Sequence, residues 1–219
     1  MILTQSSVGR KILVAVTGLM LVAFICIHLL GNLSLFAGAD AINTYAEKLH
    51  SLGPVVWIFR AAMLGIFAVH VIFAVQLTIE NASARPEAYM QKVNEEATFM
   101  SRSMIVTGGV LFFFIGYHIL HFTARVVGVE NVETLVDSAG RFDVYTMVVQ
   151  SFNSTFIAGG YVIAMICLFL HLAHGVGSFF QTLGLTNDST FDVVGKLGKV
   201  VSIVLLVGYV AVVICGVAK

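Results

Sequence analysis

Long apolar runs separated by short polar segments account for most of this chain. Each run reaches the about 20 residues that a helix needs to cross the hydrocarbon core of a bilayer. We number them spans I to V, and they cover residues 12–36, 55–79, 103–127, 155–183 and 197–217. The pattern predicts an all-α integral membrane bundle of five transmembrane helices. No internal repeat is obvious, and residues 1–219 are expected to form a single domain.

The composition agrees with this pattern and excludes other classes of protein. Of 219 residues, 58% are hydrophobic and only 11% are charged, whereas about 25% are charged in soluble domains. The formal net charge is zero and no basic cluster offers a surface to nucleic acid, so nucleic-acid binding is excluded. The three cysteines lie apart in apolar runs, which predicts neither disulfides nor a zinc site. No CxxCH motif exists to hold a haem covalently.

Basic residues beside the spans predict the orientation in the membrane. With the N-terminus in the cytoplasm, that side holds seven lysines and arginines: Arg10, Lys11, Arg85, Lys92, Arg102, Lys196 and Lys199. The opposite side holds five: Lys48, Arg60, Arg125, Arg141 and Lys219. The excess predicts a cytoplasmic N-terminus. Span I exceeds the about 7–15 apolar residues of a signal peptide, so we expect it to be retained.

Three connecting segments have patterns of their own. The residues before Gly53 and Pro54 predict a short interfacial helix between spans I and II. The loop from Glu80 to Arg102 mixes charges of both signs over an amphipathic pattern. It fits either a solvated helix or a docking face for a partner subunit. The loop at 127–149 alternates apolar and polar positions and is expected to pack as a lid across the bundle.

Histidines are the polar residues that recur inside the spans. Six of the seven lie there, and only His50 is in a loop. They are His28 in span I, His70 in II, His118 and His121 in III, and His171 and His174 in IV. A polar ring at membrane depth is costly and usually functional. One histidine could simply hydrogen-bond to a neighbouring helix, but histidines on four successive spans favour a shared ligand.

Depth arranges these histidines in two layers. At a rise of 1.5 Å per residue, His28 and His118 lie about 24 and 22 Å from the starts of spans I and III. His70 and His174 each lie about 14 Å from the ends of spans II and IV. Each pair is therefore predicted to be level, in layers roughly 10 Å apart, and two haems b, each held by two imidazoles, account for them. Bis-histidine ligation leaves no open position on iron, which favours electron transfer.

Other interpretations of the histidines remain open from the sequence. His121 and His171 each lie three residues from a proposed ligand. They are partners of haem propionates, hydrogen-bond donors to a ligand, or the ligands themselves, and we prefer His118 and His174. A di-metal carboxylate site needs Glu-x-x-His motifs, and no Asp or Glu lies deep in a span, which also argues against a carboxylate proton relay. A transporter would show inverted repeats and broken helices at the midplane, and neither is found.

Several segments, in order along the chain, resemble a known family. They are SSVGRKILVAVTG (6–18), HLLGN (28–32), YAEKLHSLGPVVWIFR (45–60), SRSMIVTG (101–108), HILHFT (118–123), DVYTMVV (143–149) and HLAHGVGSFFQTLG (171–184). The family is the cytochrome b membrane-anchor subunit of succinate dehydrogenase/fumarate reductase, in its single-chain, five-helix, two-haem form. The resemblance covers most of the chain, but span V contributes only generic apolar helix.

The resemblance implies an anchor, in a bacterial cytoplasmic (inner) membrane, for a flavoprotein subunit and an iron–sulfur subunit. Electrons would pass between the iron–sulfur clusters and a membrane quinone, expected to be menaquinone. The chain would then be the quinone-reactive part of an enzyme complex that acts on succinate or fumarate. The haem nearer the iron–sulfur subunit would be held by His70 and His174, and the outer haem by His28 and His118. The alternative is the cytochrome b anchor of a hydrogenase or a formate dehydrogenase.

Two further groups of residues are weaker candidates. The cytoplasmic edge holds candidates for pairing with haem propionates or with the partner subunits: Ser7, Arg10 and Lys11. An ordinary positive flank explains them equally well. Near the outer haem, three residues are candidates for proton exchange with a quinone, or else ordinary interfacial charges: Glu47, Lys48 and His50.

Overall fold

Helices joined by short loops make up the structure, a computed structural model that describes residues 3–83 and 102–219. The seven helices are α1 (Ser7–Asn32), α2 (Ala39–His50), α3 (Pro54–Ser83), α4 (Met104–His118), α5 (Val144–Phe152), α6 (Thr155–Thr182) and α7 (Phe191–Val217). Short turns of other helical type cover Leu33–Ala37, Ile119–Thr123 and Val132–Thr134. Within these residues no strand forms, so the all-α prediction is confirmed there.

Five of the helices are long and apolar enough to cross a membrane: Ser7–Ala37, Pro54–Ser83, Met104–Thr123, Thr155–Thr182 and Phe191–Val217. The five predicted spans are therefore confirmed by length and composition, and the chain is a multi-pass membrane protein on that ground. Large apolar side chains point outward, with Phe113 76% and Phe156 91% exposed, as expected of surfaces that face lipid. The predicted docking loop lies for the most part outside the described residues.

Local chemistry explains where the helices begin. The Ser6 hydroxyl accepts a hydrogen bond from the Gly9 N–H at 3.0 Å and caps α1, and Asp143 caps α5 through the Thr146 N–H at 3.0 Å. Pro54 opens α3, where a missing N–H costs nothing. Gly53 before it has φ +55°, a conformation that glycine adopts without strain. The helix predicted between spans I and II is present as α2 and ends at His50, three residues before Gly53. Its position at the membrane interface stays a prediction.

The spans pack as two pairs and a fifth helix. Helix α3 packs along α1, and α4 packs along α6. Contacts between α1 and α6 join the two pairs, and α7 packs along α6. The short helices α2 and α5 each lie between the two spans of one pair. Each pair therefore has the same order, which is span, short helix, span.

An internal repeat underlies this order, although none was expected from the sequence. Residues 16–30 (VTGLMLVAFICIHLL) and 106–120 (VTGGVLFFFIGYHIL) are identical at eight of fifteen positions. In the second spans, His70 is the seventeenth residue of α3 and His171 the seventeenth residue of α6. Spans I and III run in the same direction, so the two halves are parallel repeats and differ from the inverted repeats of many transporters.

A buried polar network holds the segment before α5 against α2. The Asn43 side chain, 1% exposed, donates to Asp137 at 3.2 Å and Asp143 at 3.0 Å and accepts from the Tyr145 N–H at 3.0 Å. Arg141 donates to Asp137 and to Asp40, each at 2.8 Å. The loop that was expected to form a lid is thus fastened to α2.

The hydrogen bonds of this network fix the ionisation states of Asp137 and Arg141. Burial raises the pKa of Asp137, but hydrogen bonds from Arg141, Asn43 and the Ala139 N–H outweigh it, so the pKa lies below its usual value. Hydrogen bonds to Asp40 and Asp137 raise the pKa of Arg141. Both partners therefore stay ionised at neutral pH, and the network keeps its charge-assisted hydrogen bonds.

We expect the Asn43→Ala variant to unfold at a lower temperature than the native protein. It removes three hydrogen bonds at a buried position, and each buried partner left unpaired costs about 1–3 kcal/mol. Asn153→Ala, at an exposed position, is the control and should unfold near the native temperature. Thermal unfolding of the purified protein in detergent measures both. Equal stability of the two variants would contradict this account of the network.

Candidate functional site

His70 of α3 is held by the first turns of α1. Its Nδ1 lies 3.1 Å from the Val14 carbonyl oxygen and 3.3 Å from Thr17 Oγ1. A Cβ on Gly18 would lie 3.1 Å from His70 Cε1, so a larger residue would push the ring away. The threonine therefore contacts the imidazole, and the glycine beside it makes room for the ring.

His171 of α6 has the same surroundings, supplied by α4. Its Nδ1 lies 3.3 Å from Thr107 Oγ1. A Cβ on Gly108 would lie 3.4 Å from His171 Cε1. Thr107 and Gly108 are the repeat counterparts of the threonine and glycine that hold His70.

The threonines decide which nitrogen of each ring carries the proton. Thr17 Oγ1 donates to the Leu13 carbonyl at 2.6 Å, and Thr107 Oγ1 donates to the Ser103 carbonyl at 2.9 Å. Each hydroxyl hydrogen is thus used within its own helix, and the oxygen accepts from the imidazole. Because each threonine oxygen can only accept from the ring, Nδ1 of His70 and of His171 carries the hydrogen. Nε2 of both rings then keeps a lone pair, as a metal ligand requires.

His174 lacks such surroundings. Within the described residues its ring makes no hydrogen bond, and it lies one turn beyond His171 on α6. Pairing it with His70 relied on distances from the predicted ends of the spans. Measured from the first residue of each helix, His171 is at the depth of His70. The geometry therefore favours His171 as the partner of His70.

His28 of α1 and His118 of α4 lie directly opposite each other. Their ring centroids are 5.8 Å apart and their planes are at 84°. Phe24 stacks on His28 at 5.5 Å, and Phe114, its repeat counterpart, lies 5.8 Å from His118. Two imidazoles that share one metal through bonds of about 2.0–2.1 Å, the length known for zinc, have centroids roughly 6 Å apart. The observed separation matches this arrangement.

His121 is unsuited to ligation because both of its nitrogens have partners. The side chain is completely buried. Nδ1 lies 2.9 Å from the Tyr161 hydroxyl oxygen and Nε2 lies 3.0 Å from Ser151 Oγ. The same hydroxyl of Tyr161 is 3.2 Å from His118 Nδ1. Nε2 of His118 has no hydrogen-bond partner among the described residues.

Haem iron is the metal that suits these donors. Among the residues that the structure describes, no group of three or more His, Cys, Asp or Glu side chains converges on one point. A haem needs only two protein ligands, because the porphyrin supplies the other four, and neutral imidazoles with a bonded Nδ1–H are well suited to that role. The two histidine pairs therefore fit haem, and they do not fit a di-metal carboxylate centre.

The three candidates near the N-terminus, Ser7, Arg10 and Lys11, differ in their surroundings. Arg10 donates to Glu80 at 2.7 Å and to the Thr4 carbonyl at 3.0 Å, which ties the start of α1 to the end of α3. Its Nε is buried and has no hydrogen-bond partner among the residues that the structure describes. Ser7 and Lys11 are exposed. Arg10 is therefore engaged in the fold with one donor to spare, and the other two face outward.

A cavity of about 470 Å³ lies beside α2, and two of the quinone candidates line it. Glu47 and His50 are part of its wall, whereas Lys48 is not. Arg125 also lines it, with φ +59°, a guanidinium 3.8 Å from the Phe142 ring centroid and a buried Nε that has no partner. Burial lowers the pKa of Arg125, and the nearby charge of Arg60 lowers it further.

Sequence reasoning missed Tyr161, Ser151 and the two Thr-Gly pairs. The Thr-Gly pairs could have been found, because each precedes a histidine by the same interval within the repeat. Tyr161 and Ser151 gave no signal of their own, since a tyrosine or serine near a span end is common. No family model, curated protein or solved structure matches the chain.

We expect His121→Leu to lower the thermal unfolding temperature more than His174→Leu does. Loss of the His121 ring leaves Tyr161 and Ser151 with buried, unpaired groups at about 1–3 kcal/mol each, whereas His174 has no bonded partner to strand. Thermal unfolding of both purified variants measures the difference. A larger loss from His174→Leu would show that its ring holds more of the structure than the geometry indicates.

Proposed function

We propose that this chain is the two-haem cytochrome b membrane anchor of a succinate:quinone oxidoreductase or quinol:fumarate reductase. One observation carries the proposal. The repeat places two pairs of histidines on four spans at two levels, and among the described residues Nε2 has no hydrogen-bond partner in His70, His171 and His118. If the histidines only joined helices, we would expect both ring nitrogens of each to have hydrogen-bond partners, as those of His121 do.

We call the haem proposed to lie nearer the iron–sulfur subunit the inner haem. Its proposed ligands are His70 and His171. This revises the preference for His174, because only His171 shares the depth, the threonine acceptor and the glycine neighbour of His70. The ligands proposed for the outer haem are His28 and His118, in agreement with the sequence-based preference. His174 is then left beside the inner site, on the side of α6 nearer its C-terminal end.

The protein side chains fix the orientation of the ligands. When bound, each haem supplies a one-electron redox centre. Hydrogen bonds at Nδ1 of His70, His171 and His118 stop these imidazoles from rotating and make each Nε2 a stronger electron donor. Two imidazoles on one iron leave no position for oxygen or substrate, which favours electron transfer over oxygen chemistry. Closely packed aromatic rings around His28 and His118 exclude water from the outer site.

The two sites lie at different depths, as a path across the membrane requires. Thr17 marks the level of His70, and His28 is eleven residues further along α1, which is about 16 Å at 1.5 Å per residue. This interval is larger than the roughly 10 Å that the ends of the predicted spans suggested. Electrons would enter at one level and leave at the other.

The partner subunits and the quinone complete the proposal. The inner site would exchange electrons with an iron–sulfur subunit that is bound to a flavoprotein at the cytoplasmic side of a bacterial inner membrane. The quinone, which we propose to be menaquinone, would bind in the cavity beside α2. Its volume is within the about 300–1,000 Å³ that is common for ligand sites, and Glu47 and His50 could exchange protons with the ring.

The same haem sites would serve a hydrogenase or formate dehydrogenase anchor. Purification of the intact complex separates these possibilities by the proteins that accompany the chain. A flavoprotein with bound flavin and an iron–sulfur subunit would support the proposal. A nickel-containing or molybdenum-containing partner would support the alternative.

We expect replacement of the proposed ligands to remove one haem at a time. His70→Ala and His171→Ala should each lose the same haem, and His28→Ala and His118→Ala the other, because one imidazole alone holds the iron weakly. His174→Ala should retain both haems and serves as the control. Haem content and a potentiometric titration of the membrane complex measure the result. Loss of a haem from His174→Ala, with both retained in His171→Ala, would reverse the assignment on α6.

We expect Glu47→Gln to slow quinone turnover while both haems remain. The change removes a carboxylate that can carry a proton and keeps the size of the side chain. Glu133→Gln, an exposed change outside the cavity, is the control and should keep the native rate. Quinone-linked succinate or fumarate turnover, beside turnover with an artificial dye, measures the difference. An unchanged quinone rate would place the quinone elsewhere.

A further inference from the structure

The hydroxyl of Tyr161 is shared between two histidines of different kinds. Its oxygen lies 3.2 Å from Nδ1 of His118 and 2.9 Å from Nδ1 of His121. The tyrosine is 6% exposed, so water does not compete for these bonds. His118 is a proposed ligand and His121 is not, which places the tyrosine between an iron ligand and a structural histidine. The inference that follows rests on the proposed function.

The direction of each hydrogen bond can be worked out from the far end. The Ser151 hydroxyl donates to the Met147 carbonyl at 2.7 Å, so its oxygen accepts from His121 Nε2 at 3.0 Å. His121 therefore carries its hydrogen on Nε2, and its Nδ1 has a lone pair.

The rest of the chain of hydrogen bonds follows. Because Nδ1 of His121 can only accept, the Tyr161 hydroxyl donates to it. The tyrosine oxygen is then an acceptor toward His118, whose Nδ1 must carry the hydrogen. This leaves Nε2 of His118 with the lone pair that an iron ligand needs. A hydroxyl that donates a hydrogen bond carries more negative charge on its oxygen, so the Tyr161 oxygen becomes a better acceptor toward His118.

We propose that Tyr161 is a positioning residue that lowers the redox potential of the outer haem by accepting a hydrogen bond from His118. A hydrogen bond from the second nitrogen of a ligand imidazole makes the first more electron-rich. An electron-rich ligand stabilises the oxidised iron more than the reduced iron, so the potential falls. His121 and Ser151 strengthen the effect because they orient the tyrosine hydroxyl.

The two copies of the repeat differ here, so only the outer site has this arrangement. At the inner site both ligands donate to a threonine oxygen of the neighbouring span, and His70 donates to the Val14 carbonyl as well. At the outer site His118 donates to a tyrosine, and the ring of His28 has no hydrogen-bond partner among the described residues. The residue of α3 that corresponds to Tyr161 in the repeat register is Arg60. The outer site therefore has a tyrosine hydroxyl that accepts a hydrogen bond from a ligand, and the inner site has none.

Tyr209 offers a matched control. Its ring lies 6.2 Å from His28, the other outer ligand, so it is also a tyrosine beside the outer pair. Its hydroxyl donates to the Ile25 carbonyl at 2.7 Å and to no imidazole. Tyr209→Phe therefore removes the same atom from the same region without changing a hydrogen bond to a ligand.

The experiment compares Tyr161→Phe with Tyr209→Phe in the intact complex, by potentiometric titration and by electron paramagnetic resonance of the oxidised haems. The outer haem is identified as the one lost in His28→Ala. We expect Tyr161→Phe to keep both haems, raise the midpoint potential of the outer haem and change its resonance, while the inner haem is unaffected. Tyr209→Phe should leave both midpoints and both resonances at their native values.

Failure of this inference can be told from failure of the proposed function. If the native complex contains no haem, the proposed function fails. If both haems are present and Tyr161→Phe shifts neither midpoint, or shifts only the inner one, the role of Tyr161 is refuted. Should Tyr161→Phe not assemble, Ser151→Ala takes its place. It should raise the same midpoint by a smaller amount, and an unchanged midpoint would refute the inference equally.

Discussion

The hydrogen bond at Nδ1 of His70, His171 and His118 is the interaction on which the rest of the arrangement depends. An imidazole inside a membrane bundle cannot rely on water, so its nitrogens are satisfied by protein partners or a metal. At His70 and His171 the partner of Nδ1 is a threonine of the neighbouring span, and His70 also contacts a backbone carbonyl there. This fixes the ring rotation and the tautomer, and it leaves Nε2 pointing away from its partner helix. The same bond also joins the two spans of each pair.

The repeat doubles this unit, and the differences between its copies separate the two sites. Both copies contain a threonine and a glycine that hold a histidine of the second span, followed by a histidine one layer further on. The outer layer of the second copy departs from the pattern, because Tyr161 and His121 fill the space beside His118. The π-helical turn at Ile119–Thr123 contains His121, and such turns often occur at functional sites. One architecture thus provides two electrostatically different surroundings.

The network around Asn43 forms part of the cavity wall, through Asn43 and Arg141. It holds the segment that carries Arg125 and Phe142 against α2, and the cavity lies along that contact. Few of the spans bury much of their surface within the chain, and none of the most apolar part of α3 is buried. Such helices gain stability from lipid, from each other and, under the proposed function, from the groups that they bind. Polar contacts at the ends therefore have an unusual share in fixing the relative positions of the helices.

The sequence by itself determined the number of spans, their order and the set of histidines at membrane depth, because hydropathy and spacing are local properties of a chain. It also indicated the two layers, since depth follows from position along a helix. The tertiary structure supplies the contacts on which the proposed choices of His171 over His174 and of His118 over His121 rest. These choices depend on helix rotation and on contacts between residues distant in sequence, such as Thr107 with His171 and Tyr161 with His121. Hydrogen-bond partners of this kind leave no periodic signal, whereas the repeat was present in the sequence and became evident once the helices were seen in pairs.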